Sequence, residues 1–322
     1  MSAPPRRTPP APAPLTVGVI GTGRVGTVLA AALAAAGHRL TAVTARSAAS
    51  RTRVGDLLPG IPVRSNFDVA RAATGLLLIT VPDDALAPVV TDLADSGALS
   101  PGQVVAHTSG AHGTGILAPA TDLGALPVAW HPAMTFTGHA ADLDRLPGVS
   151  YGVTAPGPVR PLVTRLVADL GGTVEWVAEP DRPLYHAALA HGANHLVTLV
   201  NDAADRLRDA GVRDPGQVLR PLLTAALDNA LRLGDAALTG PVARGDAGTV
   251  AGHLDVLKAR AADSHEAYRA LARRSADRAI ASGTLDPEAA GRLLDVLAGV
   301  AAHRPRGGTG PPPAAGQPRG SR

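Results

Sequence analysis

The sequence predicts an α/β protein, a doubly wound parallel sheet followed by an all-helical second domain. Three observations carry that expectation. Short apolar, β-branched runs alternate with helix-forming stretches through the first half, the pattern of strands joined by crossover helices. A glycine-rich turn, Gly21-Thr22-Gly23-Arg24-Val25-Gly26, separates the first such run from the first helix. From Asp181 onward, alanine- and leucine-rich stretches keep helical spacing and contain no convincing strand.

In chain order, Leu15–Ile20 reads as a buried parallel strand, and Val25–Ala36 as a helix closed by Gly37. Arg39–Thr44, Leu76–Val81, Gln103–His107, Ala125–Trp130 and Ser150–Thr154 read as further strands. A helix over Val159–Leu170 and a strand over Thr173–Val177 complete the sheet domain, expected to span residues 15–178. The helical domain is expected over 179–303, interrupted near Gly211, Pro241 and Gly283. Residues 1–14 and 304–322 are rich in proline and glycine and read as disordered tails.

The glycine turn is a dinucleotide-binding fingerprint because it sits between a strand and a helix. Gly21 allows the tight turn, Gly23 lets backbone approach a pyrophosphate, and Gly26 lets the helix pack on its strand. The helix N-terminus offers free N–H groups to the anion. About 20 residues further on, an NAD site carries an acid for the ribose diol. Here Ala45-Arg46-Ser47 stands in that place, with Arg51 and Arg53 beyond. A guanidinium and a hydroxyl suit a 2′-phosphate, so the expected cofactor is NADP.

Composition narrows the remaining classes. With 322 residues, 45% of them hydrophobic, the chain can build two cores. No apolar run reaches membrane-spanning length, and no cysteine is present, which excludes disulfides and thiol chemistry and fits a cytoplasmic protein. A net charge of +3 without a basic stripe argues against nucleic acid.

Three loops following strands should reach the site. Val81-Pro82-Asp83-Asp84 would flank a nicotinamide, with an Asp available to cap the next helix. His107-Thr108-Ser109-Gly110-Ala111-His112-Gly113 is dense in hydroxyl and imidazole groups. Trp130-His131-Pro132 sets an imidazole directly after a strand. A helix over Tyr185–Asp205 puts His191, Asn194, His195, Thr198, Asn201 and Asp202 on one side, as a cleft-facing or a solvent-facing stripe. His191 and His195 have metal-ligand spacing, but the glutamate of that arrangement is missing and no metal is expected. The interhelical turn Leu238–Asp246 carries Arg244, suited to a substrate carboxylate, and Asp246, suited to orienting Arg244 or capping the next helix.

Taken together, these segments resemble the Rossmann-like oxidoreductases that carry the helical domain of unknown function 2520. The carrying residues are the glycine turn, Val81–Asp84, His107–Gly110, His131-Pro132, Tyr185–Leu196 and Leu238–Asp246. The layout is more distantly similar to pyrroline-5-carboxylate reductase and prephenate dehydrogenase, where a serine and a histidine at the places of Ser109 and His131 contact substrate. The relatives that use a lysine four residues before the helix asparagine depart from this chain, which has Ala190 there. The resemblance implies hydride transfer between NADP(H) and a small anionic carbonyl, hydroxyl or imine substrate. His131 is the expected acid/base, since an unperturbed imidazole titrates near pH 6.5. Ser109 and Asn194 are expected to bond the reacting atom, and Arg244 with His195 to hold the substrate. A homodimer through the helical half is expected. A non-catalytic NADP(H) sensor and a deazaflavin-dependent NADP reductase stand as the alternatives.

Overall fold

The computed structural model describes residues 13–299. The expected tails lie outside the described residues except for Ala13 and Pro14.

Seven strands form one sheet: β1 (Thr16–Ile20), β2 (Arg39–Val43), β3 (Leu76–Ile79), β4 (Val104–His107), β5 (Leu126–Pro132), β6 (Ser150–Thr154) and β7 (Thr173–Trp176). Their order is β2-β1-β3-β4-β5-β6-β7, with β1 to β5 parallel. β6 runs antiparallel to β5, so the sheet is mostly and not wholly parallel. The chain steps from β1 out to β2, then crosses back to β3 on the other side of β1. That reversal opens a crevice at the carboxyl ends of β1 and β3, where such sheets take ligands.

Helices cover both faces, which is why β3 and β4 are buried throughout and, except for His107, apolar. On one face α1 (Arg24–Ala35), α2 (Ala48–Leu57) and α6 (Arg160–Asp169) pack over Val17, Val19, Leu76, Leu78 and Trp130. On the other, α3 (Asn66–Ala72), α4 (Asp83–Asp95) and the one-turn α5 (Ala118–Thr121) cover Ile20, Leu77, Ile79 and Val105. The alanines of α1 let it lie close to the sheet, with Gly26–Leu33 buried.

The chain then enters α7 (Arg182–Leu189), a wider π turn over Ala190–Asn194, and α8 (His195–Asp209). Two compact units divide between His195 and Leu196, so α7 and the π turn belong with the sheet, 17 residues beyond the expected boundary at 178. The π turn also breaks the single helix expected over Tyr185–Asp205, because its extra residue resets the 100° phase. The stripe from His191 to Asp202 is therefore two short segments in different phase.

In the second unit α9 (Pro215–Leu233), one-turn α10 (Gly240–Ala243), α11 (Ala247–Arg260), α12 (Ala262–Ala281) and α13 (Pro287–Ala298) follow. The breaks fall where expected: Gly211 and Gly283 adopt φ of +89° and +71°, a region that glycine enters without steric cost. Its core is Val250 and Leu254 of α11, Ala272, Ala276 and Ala279 of α12, and Leu293 and Leu297 of α13. By contrast α8 buries no side chain, and α9 buries only Pro215 and Leu219.

Candidate active site

Two clefts open along the first unit. The first follows β1. Gly21 has φ +96°, and a Cβ there would stand 2.9 Å from the Thr80 backbone, so the turn requires glycine. A Cβ on Gly26 would overlap Thr80 Oγ1 and the Gly21 carbonyl, which explains the third glycine as a packing position. Gly23 differs: nothing lies within 4 Å of where its Cβ would stand. No side chain caps α1 at Gly23, so the first-turn N–H groups there remain available to an anion. Gly21 N–H and Thr22 N–H donate to Thr44 Oγ1 (2.8 Å) and Thr44 O (3.2 Å), tying the loop to the end of β2.

The cleft over this loop, about 260 Å³, is lined by Thr22, Gly23, Arg46, Ser47, Val81 and Pro82 among others. Ser47 caps α2, its Oγ accepting from Ser50 N–H at 3.1 Å. The exposed Arg46 side chain has no hydrogen bond or ion pair among the described residues and also lines an adjoining hollow with Arg64 and Phe67. Arg53 Nη2 donates to Thr22 O at 3.4 Å, whereas its Nε is buried without a partner. An open backbone cradle, an unpaired guanidinium and an orphaned donor together fit a phosphate-bearing dinucleotide. Arg24, exposed, and Val25, packed into the core, contribute the start of α1.

The second cleft, about 190 Å³, lies at the end of β5 and is lined by His131, Met134, Thr135, His186, Leu189 and Asn194. His131 and Pro132 sit inside β5, one turn of pleat further than expected, and His131 pairs with Gly152 of β6. His131 Nδ1 is 3.0 Å from Tyr185 Oη, and the two rings meet edge to face at 5.6 Å. Gly152 must be glycine, because a Cβ would run into the Tyr185 ring.

Beneath this pair lies Arg182, wholly buried. Its Nη2 donates to Ser109 O at 2.7 Å, its Nε to His112 O at 2.9 Å and its Nη1 to Gly152 O at 2.9 Å. One guanidinium thereby joins the loop after β4, strand β6 and α7. Glu179 fixes the same loop from outside, accepting from Thr114 N–H (2.7 Å) and Gly115 N–H (2.9 Å), contacts that hold its carboxylate below its ordinary pKa against the cost of burial.

Burial, with help from Arg182 and His186, pushes His131 down to about 4. The sequence expectation of an imidazole titrating near neutrality is corrected accordingly: His131 is uncharged at pH 7. His107 is lowered to about 4 as well, mainly by burial; its Nε2 donates to Gly113 O at 2.8 Å and its Nδ1 accepts from Ser109 N–H at 3.2 Å. Asp83, beside Pro82 of the nucleotide cleft, raises both imidazoles slightly through its charge.

The structure brings His131 and Asn194 to one cleft. It turns Ser109 inward: 8% exposed, its Oγ accepting from His112 N–H at 3.2 Å, it supports the loop and does not line the cleft. Its neighbour Gly110 is what lies against His131 and His186. His195 pairs with His191, Nδ1 to Nδ1 at 3.0 Å, outside that cleft. Arg244 is exposed at the end of α10 in the second unit, and Asp246 caps α11 through Thr249 N–H at 3.0 Å. Asp83 and Asp84 occupy the first turn of α4 without capping it, where they favour the helix dipole. Sequence reasoning missed Arg182. The available signal was a cation in the first turn of a helix, a place that the macrodipole disfavours unless the side chain has another task.

Comparison with known proteins agrees with this fold. A Rossmann-like domain profile matches residues 1–132, and the profile named Domain of unknown function (DUF2520) matches residues 149–275. Among solved structures, a Bacteroides fragilis protein bearing the provisional name NADP oxidoreductase superposes with TM-score 0.68 at 21% identity, covering 82% of this chain and 98% of its own. Protein TM1727 of Thermotoga maritima gives 0.62 at 18%, covering 83% and 99%. Pyrroline carboxylate reductase of Plasmodium falciparum, with NADP bound, gives 0.51 at 12%, covering 82% and 98%. No curated protein matches. The chain joins a Rossmann-like domain to the domain of unknown function DUF2520.

Proposed function

We propose that the chain is an NADP(H)-dependent oxidoreductase acting on a small anionic substrate at a carbonyl, hydroxyl or imine carbon. The observation that carries this reading is His131, paired with Tyr185, lining a cleft with Asn194 on the same sheet edge as the Gly23 cradle. When bound, the dinucleotide supplies or accepts the hydride. Gly21, Gly23 and Gly26 shape its pyrophosphate site, and Arg46 with Ser47 receives the 2′-phosphate. Val81 and Pro82 wall the cleft towards Asp83. Asn194 bonds the reacting oxygen or nitrogen, and His131, a neutral imidazole, hydrogen-bonds the same atom as charge develops on it. The bound NADP of the Plasmodium falciparum reductase supports the choice of cofactor. A cysteine-free chain supports a cytoplasmic setting.

Titration with NADPH and NADH, followed by a screen of small keto, hydroxy and cyclic imino acids, tests the reading. Replacing His131 with Ala should lower turnover by ~10²-fold or more while leaving NADPH affinity nearly unchanged. Absence of nucleotide binding would overturn the reading. Binding without turnover of any substrate would favour a sensor, and deazaflavin binding would favour a deazaflavin-dependent reductase.

The reading includes a homodimer through the helical half. Leu222 and Leu231 of α9 are 63% and 80% exposed, with Val218, Leu227 and Leu233 beside them on the same helix. Such a run is an interaction surface by its size and apolarity. Light scattering at micromolar concentration should give twice the chain mass; a monomer would remove this part.

A further inference from the structure

His131 has two nitrogens, and the geometry distinguishes them. Nδ1 meets Tyr185 Oη at 3.0 Å, while Nε2 has no hydrogen-bond partner among the described residues and is not sealed from solvent. Either neutral tautomer satisfies the distance, and the two give opposite chemistry. If Tyr185 donates, Nε2 carries the hydrogen and the cleft meets a donor. If Nδ1 donates, Nε2 is a bare lone pair and the cleft meets a base.

We infer that Tyr185, backed by Arg182, is a positioning residue that fixes His131 with Nδ1 as acceptor and Nε2–H as the group offered to substrate. A phenol is the better donor of the two and an imidazole nitrogen the better acceptor, so Oη–H to Nδ1 is the stronger pairing. Burial pushes the Tyr185 phenol up and keeps it protonated; the Arg182 guanidinium, 5.6 Å from the centre of its ring, partly opposes that push and disfavours protonated imidazole. The other groups facing His131 are His186 and His107, which also disfavour its cationic form, and Asp83, which mildly favours it. Burial outweighs Asp83, so the imidazole remains neutral through the working pH range. A neutral imidazole N–H polarises a carbonyl or holds an alcohol oxygen without carrying a charge of its own.

This inference deepens the oxidoreductase reading and rests on it for the word substrate, but its test does not require turnover. Long-range proton–nitrogen correlation spectra of the full chain, labelled with nitrogen-15 histidine, report which ring nitrogen is protonated. The His131 signals are assigned from their loss in His131→Gln. The expected wild-type pattern is a protonated Nε2 and an acceptor Nδ1, favoured roughly fivefold or more by a hydrogen bond of ordinary strength. It should persist between about pH 5 and 8, where a free histidine would titrate. In Tyr185→Phe the preference should collapse towards a mixture, with the His107 signals unchanged as the fold reference. A dominant Nδ1–H tautomer in the wild type would overturn the inference, as would an unaltered ratio in Tyr185→Phe. Should that variant fail to fold, a dominant Nδ1–H tautomer in the wild type still overturns the inference. Failure of the NADP(H) reading would appear separately, as lost nucleotide binding with this spectrum intact.

Discussion

Two regions of the sheet's carboxyl edge, at β1 and at β5, are built in opposite ways. At β1 the site is backbone: six consecutive residues make a turn whose shape follows from which positions lack a Cβ. At β5 the site is side chains brought from far apart, with His131, Tyr185 and the loop after β4 held by one buried guanidinium. The first kind of site tolerates change at its rim, because its frame is local. The second depends on a single keystone, and removing that should disturb every partner at once.

Replacing Arg182 with Met therefore gives the largest expected effect. The side chain is wholly buried and bonds three carbonyls of two other segments, and its bonds to Ser109 O and Gly152 O are buried as well. Hydrogen bonds to a charged group are each worth about 1.5–3 kcal/mol, but three on one group do not add fully. A loss of about 3 kcal/mol or more is expected in urea unfolding, because each buried carbonyl left without a donor costs about 1–3 kcal/mol. A loss under about 1 kcal/mol would show that the loop after β4 is held by Glu179 and packing instead.

The same contrast explains what the sequence revealed. The glycine turn, the positions of the strands along the chain and the helical second half were legible because strand, turn and helix signals are local and contiguous. The position of α7 was not, since nothing in 179–195 distinguishes a helix that packs on the sheet from one that belongs to the next unit. Ser109 and His131 both follow strands and looked equivalent. They separate only when Arg182 takes the Ser109 carbonyl and draws that residue inward. The π turn at Ala190–Asn194 has no sequence signature, yet it decides that Asn194 reaches the cleft and His195 does not.

A second effect, nearly as large, is acid sensitivity at the keystone end. His107 is wholly buried and its pKa falls from 6.5 to about 4 on folding. The unfolded chain thus takes up a proton that the native state refuses, so stability is full above about pH 6.5 and declines as pH falls towards about 4. A shift of that size corresponds to about 3 kcal/mol at the low-pH limit. His131 adds a contribution of the same sign, smaller for its partial exposure. Urea unfolding at several pH values should show the decline, with a visibly shallower slope in His107→Gln. Equal slopes would mean that His107 protonates in the native state without cost.

The smallest expected effect lies at the backbone end, and it tests whether side chains there do more than tune. Arg46 is exposed and its side chain bonds nothing among the described residues, so Arg46→Glu should leave folding unchanged. Its consequence should be confined to a ligand that presents a 2′-phosphate. One charge-assisted contact is worth roughly 1.5–3 kcal/mol, which predicts about tenfold or greater loss of NADPH affinity. NADH, lacking the phosphate, should bind nearly as before, since the Gly23 cradle that meets its pyrophosphate is untouched. The ratio of the two dissociation constants, measured at one ionic strength, isolates that contact from the general field of nearby Arg53 and Arg64. An equal loss for both nucleotides would mean that Arg46 acts through field alone. An unchanged ratio with unchanged affinities would move the phosphate reading to Arg53, whose Nε is buried without a partner in the same cleft.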